Sequence, residues 1–418
     1  MNITSFGNTV AKLRKKHGYT QSQLASMLNV SNKAVSKWET GGGYPEITLL
    51  PALSEILKVS IDYLLKGDTT GITIAGNILV DIVNIIDTFP KPGMLTNITE
   101  TVHAVGGCVP NTIIDIAKID SDIFLSAAGK VGDDENGRYA VSRMKNFGVD
   151  VSGVRIDRSC VTGCSNVMTD SKTGERTFFL TSGANGAFDI DDIDVNALDC
   201  KIFHIGYILL LDSLDKPDSE YGTRMARLLD AVSKRGIKTS IDVVSEEGDR
   251  FAEKVIPALK YCDYVIINEV ESSRVSGIPP RNADGSVNVG NIKRTMEKFF
   301  EYGVRELVIV HCVEGGFMLN KNGDFYVSGS LKLPSGYIKG SVGAGDAYAA
   351  ACLYGIYKEF EPGFMLDFAA AAAACNLSAS DSISGMKSRS EIEELMTKYE
   401  KREIEFYNKI KLAEKNQL

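Results

Sequence analysis

The clearest chemical motif of the chain is GSVGAGDAY at residues 340–348, in which three glycines and an alanine precede Asp346. An alanine-rich segment typical of a helix follows. Glycines let successive backbone N–H groups point at one spot, and a helix N-terminus adds its positive dipole end. Such a site suits a phosphoryl group in transfer, and Asp346 can act as general base toward an attacking hydroxyl. From these residues alone, the alternative is a glycine turn that only lets the helix pack closely.

Further polar residues stand where other predicted strands end. They are Asp81 in IAGNILVDI, Gly106, Gly107 and Asn111 in VGGCVPNTI, and Asn268, Glu269 and Glu271 in VIINEVE. Ligands of open α/β sheets bind beyond the carboxyl ends of the strands. Oxygens of Asn268 and Glu271 suit Mg²⁺, held through water as this ion prefers. For Asp81 the alternative is a turn cap, and Glu269 is expected to be a solvated neighbour.

The elements that must position these residues alternate between strand and helix from residue 72 onward. This alternation predicts an α/β fold with a doubly wound, mostly parallel sheet covered by helices on both faces. The segment GCSNVMTDSKTGERTFFLTSG differs, because two extended runs flank a Lys-Thr-Gly turn and predict an antiparallel hairpin. TNITETVHAVGG is a second extended piece that can pair with it.

The first 68 residues have another character. They hold eight Lys/Arg and five Asp/Glu, whereas the remainder holds 38 and 49, so a basic head precedes an acidic body. The head predicts short helices, with Thr20 capping the helix QSQLASML and a tight NVS turn before a second helix that buries Val35 and Trp38. Two helices joined in this way can place the second in the major groove of DNA.

The segment TQSQLASMLNVSNKAVSKWETG resembles the helix-turn-helix of the Cro/phage-repressor (XRE) family. The resemblance implies binding of double-stranded DNA through residues that are polar or basic and lie outside the apolar positions. These residues are Gln21, Ser31, Asn32, Lys33, Ser36 and Lys37. The alternative is a small helical protein-interaction module with a solvated basic face.

The body resembles the ribokinase-like (PfkB) carbohydrate kinases over residues 72–395, on the motifs GGCVPN, NEVE and GAGD. The resemblance implies Asp346 as catalytic base beside an anion hole formed by the amides of Gly343, Ala344 and Gly345. It implies that Asn268 and Glu271 organise Mg²⁺ with ATP. Substrate hydroxyls would be held by Asp81, Gly106, Gly107 and Asn111. The extended pieces near 96–106 and 162–182 would form a lid that often pairs two subunits, which predicts a homodimer.

Two departures from that family stand out. Gly340 and Ser341 replace the usual Asp-Thr before the anion hole, which puts K⁺ activation in doubt. The nucleotide loop HCVEGG keeps Gly316 but has Val313 where the family commonly has its first glycine. A β-branched residue there restricts the backbone and crowds a nucleotide.

The predicted organisation is a helix-turn-helix head at 1–67, a linker at 68–71, a kinase body at 72–395 and a helical tail at 396–418 that starts after a capping box of Ser390 and Glu393. Scattered cysteines, the absence of ~18 consecutive apolar residues and the lack of a signal peptide predict a cytoplasmic protein without a membrane span. The leading function is ATP-dependent phosphorylation of a sugar hydroxymethyl group coupled to transcriptional control. The alternatives are a sugar- or nucleoside-sensing regulator with weak or no kinase activity, and a nucleoside kinase.

Overall fold

The computed structural model describes residues 3–59, 61–66 and 70–404. The chain divides into two compact units between Gly71 and Ile72. Of the predicted linker, residues 68 and 69 lie outside the described residues, and Gly71 already belongs to the first strand of the body. Among the helices of the described residues, none combines the length and apolar composition that crossing a membrane requires.

The head is a bundle of short helices around one apolar core. Thr20 caps the second helix as predicted, since its hydroxyl accepts a hydrogen bond from the Gln23 N–H and the Gln23 side chain accepts one from the Thr20 N–H. Ser31 caps the third helix through its hydroxyl alone, which accepts a hydrogen bond from the Ala34 N–H. Val35 and Trp38 are buried, as their spacing predicted. The helices are α1 Ile3–Lys16, α2 Gln21–Met27, α3 Asn32–Glu39, α4 Leu50–Leu57 and α5 Ile61–Lys66.

The body contains a nine-stranded sheet, a four-stranded sheet and a short two-stranded ladder. The strands are β1 Gly71–Gly76, β2 Leu79–Ile86, β3 Ile98–Gly106, β4 Leu125–Gly132, β5 Asp150–Asp157, β6 Gly163–Asp170, β7 Arg176–Thr181, β8 Cys200–Ile208, β9 Pro217–Asp218, β10 Gly222–Thr223, β11 Lys238–Val243, β12 Tyr264–Asn268, β13 Leu307–His311, β14 Gly315–Asn320 and β15 Phe325–Gly329. The order in the large sheet is β15-β14-β13-β12-β11-β8-β1-β4-β5. Its pairs β1–β4, β4–β5, β8–β11, β11–β12 and β12–β13 are parallel, whereas β14 and β15 are antiparallel additions.

The lid sheet, which we define as β3-β2-β6-β7, corrects one prediction. The sequence predicts that a strand ends at Asp81 in IAGNILVDI. The chain instead leaves the large sheet after β1 and enters the lid sheet as β2, with Asp81 as the third residue of that strand. Gly76 permits this departure, because its φ of 119° is rarely accessible to other residues. The two extended pieces expected there are strands of this sheet, β3 and the hairpin β6–β7. The pairing expected between them was wrong, because β3 pairs with β2, which lies between β3 and the hairpin.

Helices cover the large sheet as predicted for a doubly wound fold. They are α6 Cys108–Ile119, α7 Glu135–Asn146, α8 Arg224–Ser233, α9 Phe251–Leu259, α10 Glu269–Ser276, α11 Val289–Glu301, α12 Ala344–Tyr357, α13 Pro362–Asn376 and α14 Arg389–Lys398. The alanine-rich α12 and α13 are buried on most of their surface, because small side chains let helices approach closely. From β1 the sheet runs through β4 to β5 on one side and through β8 to β13 on the other, so the strand order reverses between β1 and β8. A ligand site is expected beside this reversal, at the carboxyl ends of the strands.

The tail differs from its prediction. The last helix begins at Arg389, and its capping box consists of Ser388 and Glu391, two residues earlier than predicted. The helix ends at Lys398, and Lys401 then forms a β-bridge with Leu331, so residues 399–404 are not helical. Residues 405–418 of the predicted tail lie outside the described residues.

Candidate active site

A cavity of about 260 Å³ opens at the carboxyl ends of β8, β11, β12 and β13, facing the start of α12. Five residues singled out by the sequence line it, and they are Asn268, Glu271, Gly343, Gly345 and Asp346. It is lined in addition by Tyr207, Asp242, Val243, Val244, Ser245, Ile266, Ile267, His311 and Ala349. The fold therefore brings together the NEVE and GAGD motifs, which are about 70 residues apart in the sequence.

Asp346 occupies the first turn of α12, directly after Gly343, which caps this helix with a φ of 77°. Its Oδ1 accepts a hydrogen bond from Tyr207 Oη at 2.6 Å, and its Oδ2 accepts one from Asn111 Nδ2 at 2.9 Å. Burial, together with the negative charge of Asp242, raises the pKa of Asp346 to about 7, although the two hydrogen bonds lower it. A carboxylate that titrates near neutral pH is well matched to general-base work.

Asn111 connects Asp346 to the loop that follows α13. Its Nδ2 donates to Asp346, while its Oδ1 accepts a hydrogen bond at 2.8 Å from Ser382 Oγ. Ser382 also lies against Gly343, where an added Cβ would stand 2.6 Å from the Ser382 Cβ. Asn111, predicted to hold a substrate hydroxyl, thus has both polar ends engaged in positioning the carboxylate.

The other predicted substrate residues lie at the junction of the lid sheet and α6. Asp81 in β2 is partly buried, and burial raises its pKa to about 6. Gly106 ends β3 beside it, so close that a Cβ there would overlap the Asp81 carboxylate. Gly107 caps α6 with a φ of 89°. The charge of Asp81 contributes to the raised pKa of Asp346, which places the two carboxylates in one electrostatic environment.

Asn268 and Glu271 form a reciprocal cap at the start of α10. Asn268 Oδ1 accepts hydrogen bonds from the N–H groups of Val270 and Glu271, both at 2.9 Å. Glu271 Oε1 accepts from Asn268 Nδ2 at 2.7 Å and from Ser245 Oγ at 2.8 Å. Burial, together with the charges of Asp242 and Asp346, raises the pKa of Glu271 to about 8, although hydrogen bonds from Asn268 and Ser245 lower it.

The donor set of the cavity fits a divalent cation. Asp242, Glu271 and Asp346 line one cavity, and no Lys or Arg occurs among its lining residues in the described part of the chain. The charge of Asp242 raises the pKa of both Glu271 and Asp346, and a bound cation would supply the missing counter-charge. Because the Glu271 oxygens are engaged in the helix cap, contact with Mg²⁺ through water is the arrangement that suits them.

Sequence reasoning missed Tyr207, Asp242 and His311. Each stands at or beside the carboxyl end of its strand, β8, β11 and β13 respectively, so the rule applied to the other strands could have found them. His311 stacks on Tyr348 with ring centroids 4.8 Å apart, and burial lowers its pKa to about 4. His311 is therefore neutral at physiological pH and lies beside Gly345 of the predicted anion hole.

The two residues singled out in the predicted nucleotide loop, Gly316 and Val313, differ in their surroundings. Gly316 is buried in β14, and a Cβ there would overlap the Tyr348 hydroxyl, so packing already accounts for this glycine. Val313 is 70% exposed. The interpretation of Glu269 as a solvated neighbour was wrong, because it is 8% exposed and forms an ion pair with Arg281 at 2.7 Å.

In the head, four of the predicted DNA-facing residues are exposed, namely Ser31, Asn32, Lys33 and Lys37. Ser36 and Gln21 are half-buried, and Gln21 Nε2 donates to Glu39 Oε2 at 2.7 Å. Arg14 donates to the same carboxylate at 2.9 Å, which ties α1, α2 and α3 together. The exposed surface of α3 is therefore polar, and its two lysines give it a charge of +2.

The hydrogen bond from Tyr207 to Asp346 yields a pH prediction. Tyr207→Phe removes a bond that lowers the pKa of Asp346, so this pKa rises and the base stays protonated to higher pH. The acid limb of the pH profile of kcat/KM should therefore move to higher pH, while the rate at high pH is largely kept. Tyr354 lies in α12, as Asp346 does, but away from the cavity. Tyr354→Phe should therefore leave the acid limb of the pH profile unchanged. An unmoved limb in Tyr207→Phe would show that Asp346 is not the titrating base.

The comparisons with known proteins cover both units. Residues 70–389 match the model of the pfkB family carbohydrate kinases, and residues 10–64 match a helix-turn-helix model. A 5-dehydro-2-deoxygluconokinase of Geobacillus kaustophilus is 26% identical over 301 residues, covering 71% of this chain and 85% of that protein. The HTH-type transcriptional activator BcrR of Enterococcus faecalis is 44% identical over 63 residues, covering 15% of this chain and 31% of that protein.

Solved structures share the fold of the body. Ribokinase of Arabidopsis thaliana, complexed with ribose and ATP, superposes with a TM-score of 0.64 at 21% identity, covering 78% of this chain and 99% of that one. A putative ribokinase II of E. coli in complex with ATP and Mg²⁺ gives a TM-score of 0.62 at 21% identity, covering 79% and 99%. The prediction of a ribokinase-like body preceded by an XRE-type helix-turn-helix head is thus confirmed.

Proposed function

This chain belongs to the pfkB family of carbohydrate kinases, and on that premise we propose that it transfers the γ-phosphoryl group of ATP to a hydroxymethyl group of a sugar. The chain is a phosphotransferase with an alcohol group as acceptor. The observation that carries the proposal is Asp346, buried at the N-terminus of α12 with a pKa near 7.

The proposed proton step uses the oxygens of Asp346. The substrate hydroxyl approaches the carboxylate, its proton passes to Asp346, and its oxygen forms the new bond to phosphorus as the bond to ADP breaks. Tyr207 Oη stands 2.6 Å from Oδ1, so the substrate hydroxyl either takes the place of this phenol or bonds beside it. Asn111 holds Oδ2 and fixes the direction of the carboxylate.

Charge on the phosphoryl group would be stabilised by the amides of Gly343, Ala344 and Gly345 at the positive end of α12. Bound Mg²⁺, held through water near Asn268 and Glu271, would supply further positive charge to the phosphates. His311 adds a neutral imidazole beside Gly345, which can donate a hydrogen bond without adding charge. K⁺ activation stays doubtful for this chain, given Gly340 and Ser341.

The sugar itself is the next part of the proposal. The 26% identical relative is named for 5-dehydro-2-deoxygluconate, so this keto acid is the first substrate to test, followed by ribose and nucleosides. A thermal-shift screen of these compounds, with and without Mg-ATP, is the experiment, since ligands of the folded state raise Tm. We expect a sugar acid to raise Tm more than a nucleoside does. The reverse order would favour a nucleoside kinase.

A second candidate function is a sugar-sensing regulator with weak or no kinase activity. It is favoured by the Tyr207 phenol on the Asp346 carboxylate and by the exposed Val313 in the nucleotide loop. Linkage separates the two candidates, because a sensor must bind sugar with different affinities in the presence and absence of its operator DNA. Equal sugar dissociation constants with and without operator DNA would mean that the head and the body are not coupled. The sensor proposal would then fail, whereas the kinase proposal would stand.

The head is proposed to bind double-stranded DNA through α3, and this gives a prediction on salt and charge. Lys33→Ala and Lys37→Ala should each weaken binding, and affinity should fall steeply with salt, because phosphate contacts release counterions. A loss that is uniform across sequences identifies a phosphate contact, whereas relaxed specificity identifies a base contact. Binding is measured by fluorescence anisotropy at several salt concentrations.

The matched control for this prediction is Lys145→Ala, which removes the same charge from α7 of the body. It should leave the affinity and the salt slope unchanged. If selection from random DNA recovers no preferred sequence, or if Lys33→Ala and Lys37→Ala both bind as the parent does, the regulatory part of the proposal fails. We also propose a cytoplasmic location, as expected for a kinase that depends on ATP.

A homodimer is proposed to form through the lid sheet. The register places Asp81, Val102, Phe178 and Leu180 on one face of this sheet. The three apolar side chains are between 44% and 57% exposed. They share their face of the sheet with Asp81, which is proposed to bind the substrate. A second subunit that covers this face would bury them.

Phe178→Asp should therefore shift the protein from dimer to monomer, because a buried unpaired charge is costly at an interface. Light scattering after size-exclusion chromatography measures the mass. Ile156→Asp is the matched control, since Ile156 in β5 is also exposed but lies on the large sheet. A parent protein that is already monomeric, or a variant that stays dimeric, would refute this interface.

A further inference from the structure

A thiol, an imidazole and a carboxylate lie close together at the start of α6. The proposed kinase mechanism does not use these three side chains together. They are Cys108, His204 and Asp242, and their potential ligand atoms all lie within 4.8 Å of one another. Cys108 and His204 are fully buried, and Asp242 is 6% exposed. Such a cluster deep in a protein needs a physical reason, because each polar group loses its hydration there.

The strands explain why these side chains converge. In the parallel pair β8–β11, His204 is opposite Ser240, and Asp242 lies two residues further along β11. Side chains two residues apart in a strand point to the same face, so His204 and Asp242 face α6 together. Gly206, two residues after His204, lets Asp242 and Cys108 approach, since a Cβ there would stand 2.8 Å from Cys108 Sγ and overlap Asp242 Oδ1.

The hydrogen bonding inside the cluster is incomplete. His204 Nδ1 lies 3.0 Å from Ser240 Oγ, which leaves Nε2 directed at the carboxylate. Nε2 of His204 and Oδ1 of Asp242 are buried without a hydrogen-bond partner among the described residues. Leaving such atoms unpaired is unfavourable, because each has lost its hydration without gaining a partner. A cation bound between the imidazole and the carboxylate would give both groups a partner.

We propose that Cys108, His204 and Asp242 form a binding site for one transition-metal ion of the Zn²⁺ class. The atoms that surround a tetrahedral Zn²⁺ at 2.0–2.3 Å are separated by about 3.3–3.8 Å. His204 Nε2 and Asp242 Oδ2 are 3.5 Å apart, which is within this range. Ser240 holds the far nitrogen of the imidazole, as outer partners of metal-bound histidines commonly do.

The chemistry of the donors selects the ion. A thiol and an imidazole favour Zn²⁺, Co²⁺ or Cu⁺, whereas Mg²⁺ takes oxygen ligands and would remain with Asn268 and Glu271. Binding replaces the S–H bond of Cys108 by an S–metal bond, and the proton passes to solvent. Three protein ligands leave a fourth position open, and Asp242 lines the active-site cavity, so a water can reach the ion from there.

The test uses the full chain freed of metal and titrated with Co²⁺, whose absorption reports its ligands without any turnover. We expect one Co²⁺ per chain, intense tetrahedral bands and a thiolate-to-cobalt charge-transfer band, all removed by Zn²⁺. Cys108→Ser should abolish the charge-transfer band. Ser240→Ala should weaken binding about 10–100-fold by releasing the imidazole. Cys352 is a buried thiol elsewhere in the body, and Cys160 is a more accessible one. Cys352→Ser and Cys160→Ser should change neither the charge-transfer band nor the affinity for Co²⁺.

Absence of the bands in the parent chain overturns the proposal, as does a charge-transfer band that persists in Cys108→Ser. A variant that does not fold is replaced by X-ray absorption on the zinc-loaded parent chain. We expect one sulfur at about 2.3 Å and the remaining neighbours as nitrogen or oxygen at about 2.0–2.1 Å. Two or more sulfurs would assign the metal to other cysteines. The cobalt and X-ray absorption measurements do not depend on kinase activity. They therefore test the metal site even if the proposed kinase function fails.

Discussion

Asp346→Asn should lower the turnover of sugar phosphorylation by about two to four decades, the usual span for the loss of a general base. The amide keeps the size of the side chain but cannot take a proton from the substrate hydroxyl. Sugar affinity should change little, because the other residues proposed to hold the substrate, Asp81 among them, are unchanged in this variant. Initial rates of ADP formation at saturating sugar measure the effect, and sugar binding is measured separately by calorimetry.

Asp120→Asn is the matched control for this variant. Asp120 is a partly buried carboxylate that forms an ion pair with Lys358 and stands outside the cavity. Its loss should leave turnover within about a factor of two of the parent, as is usual for changes away from the reacting atoms. Turnover that is unchanged in Asp346→Asn would remove this residue from the mechanism.

Gly343→Ala has the second largest expected effect, a loss of about two to three decades in turnover. Gly343 has a φ of 77°, which is strained for alanine by about 1–2 kcal/mol. The new Cβ would also lie 2.6–2.7 Å from the Cβ and Cα of Ser382. Ser382 donates to Asn111, and Asn111 donates to Asp346, so a shift there misplaces both the amides and the base.

Gly363→Ala separates this effect from a general loss of stability. Gly363 lies in the first turn of α13, and a Cβ there would meet nothing within 4 Å. This variant should keep full activity and a similar Tm. Gly343→Ala should remain folded by circular dichroism while losing turnover. Full activity in Gly343→Ala would mean that the start of α12 plays no part in phosphoryl transfer.

The sequence predicted the architecture because its strong signals are local. Strand–helix alternation, the Thr20 cap and the Lys-Thr-Gly hairpin each depend on a few adjacent residues. The division of GITIAGNILVDIV into β1 and β2 was missed, because both strands are apolar and only Gly76 and Asn77 interrupt them. The helix cap at Ser388 was misplaced by two residues, since two serines offered equivalent patterns.

The missed part of the site depends on long-range packing. Tyr207 reaches Asp346 across 139 residues of sequence, and Asn111 reaches it across 235. The position of Tyr207 near the end of its strand could have marked it as a site residue, but no local pattern shows that it is the partner of the base. Likewise, Cys108, His204 and Asp242 converge only when β8, β11 and α6 are in place. Motif spacing predicted the reacting groups, whereas the residues that tune them required the fold.

The central claim is that the body makes a phosphomonoester of a sugar with Asp346 as base. The most direct measurement is ³¹P NMR with mass spectrometry on the full chain incubated with Mg-ATP and each sugar that raises its Tm, starting with 5-dehydro-2-deoxygluconate. We predict a phosphomonoester resonance and a product heavier by one phosphoryl group, both depending on Asp346. A sugar that binds but yields no phosphorylated product, or equal product from Asp346→Asn, would contradict the account.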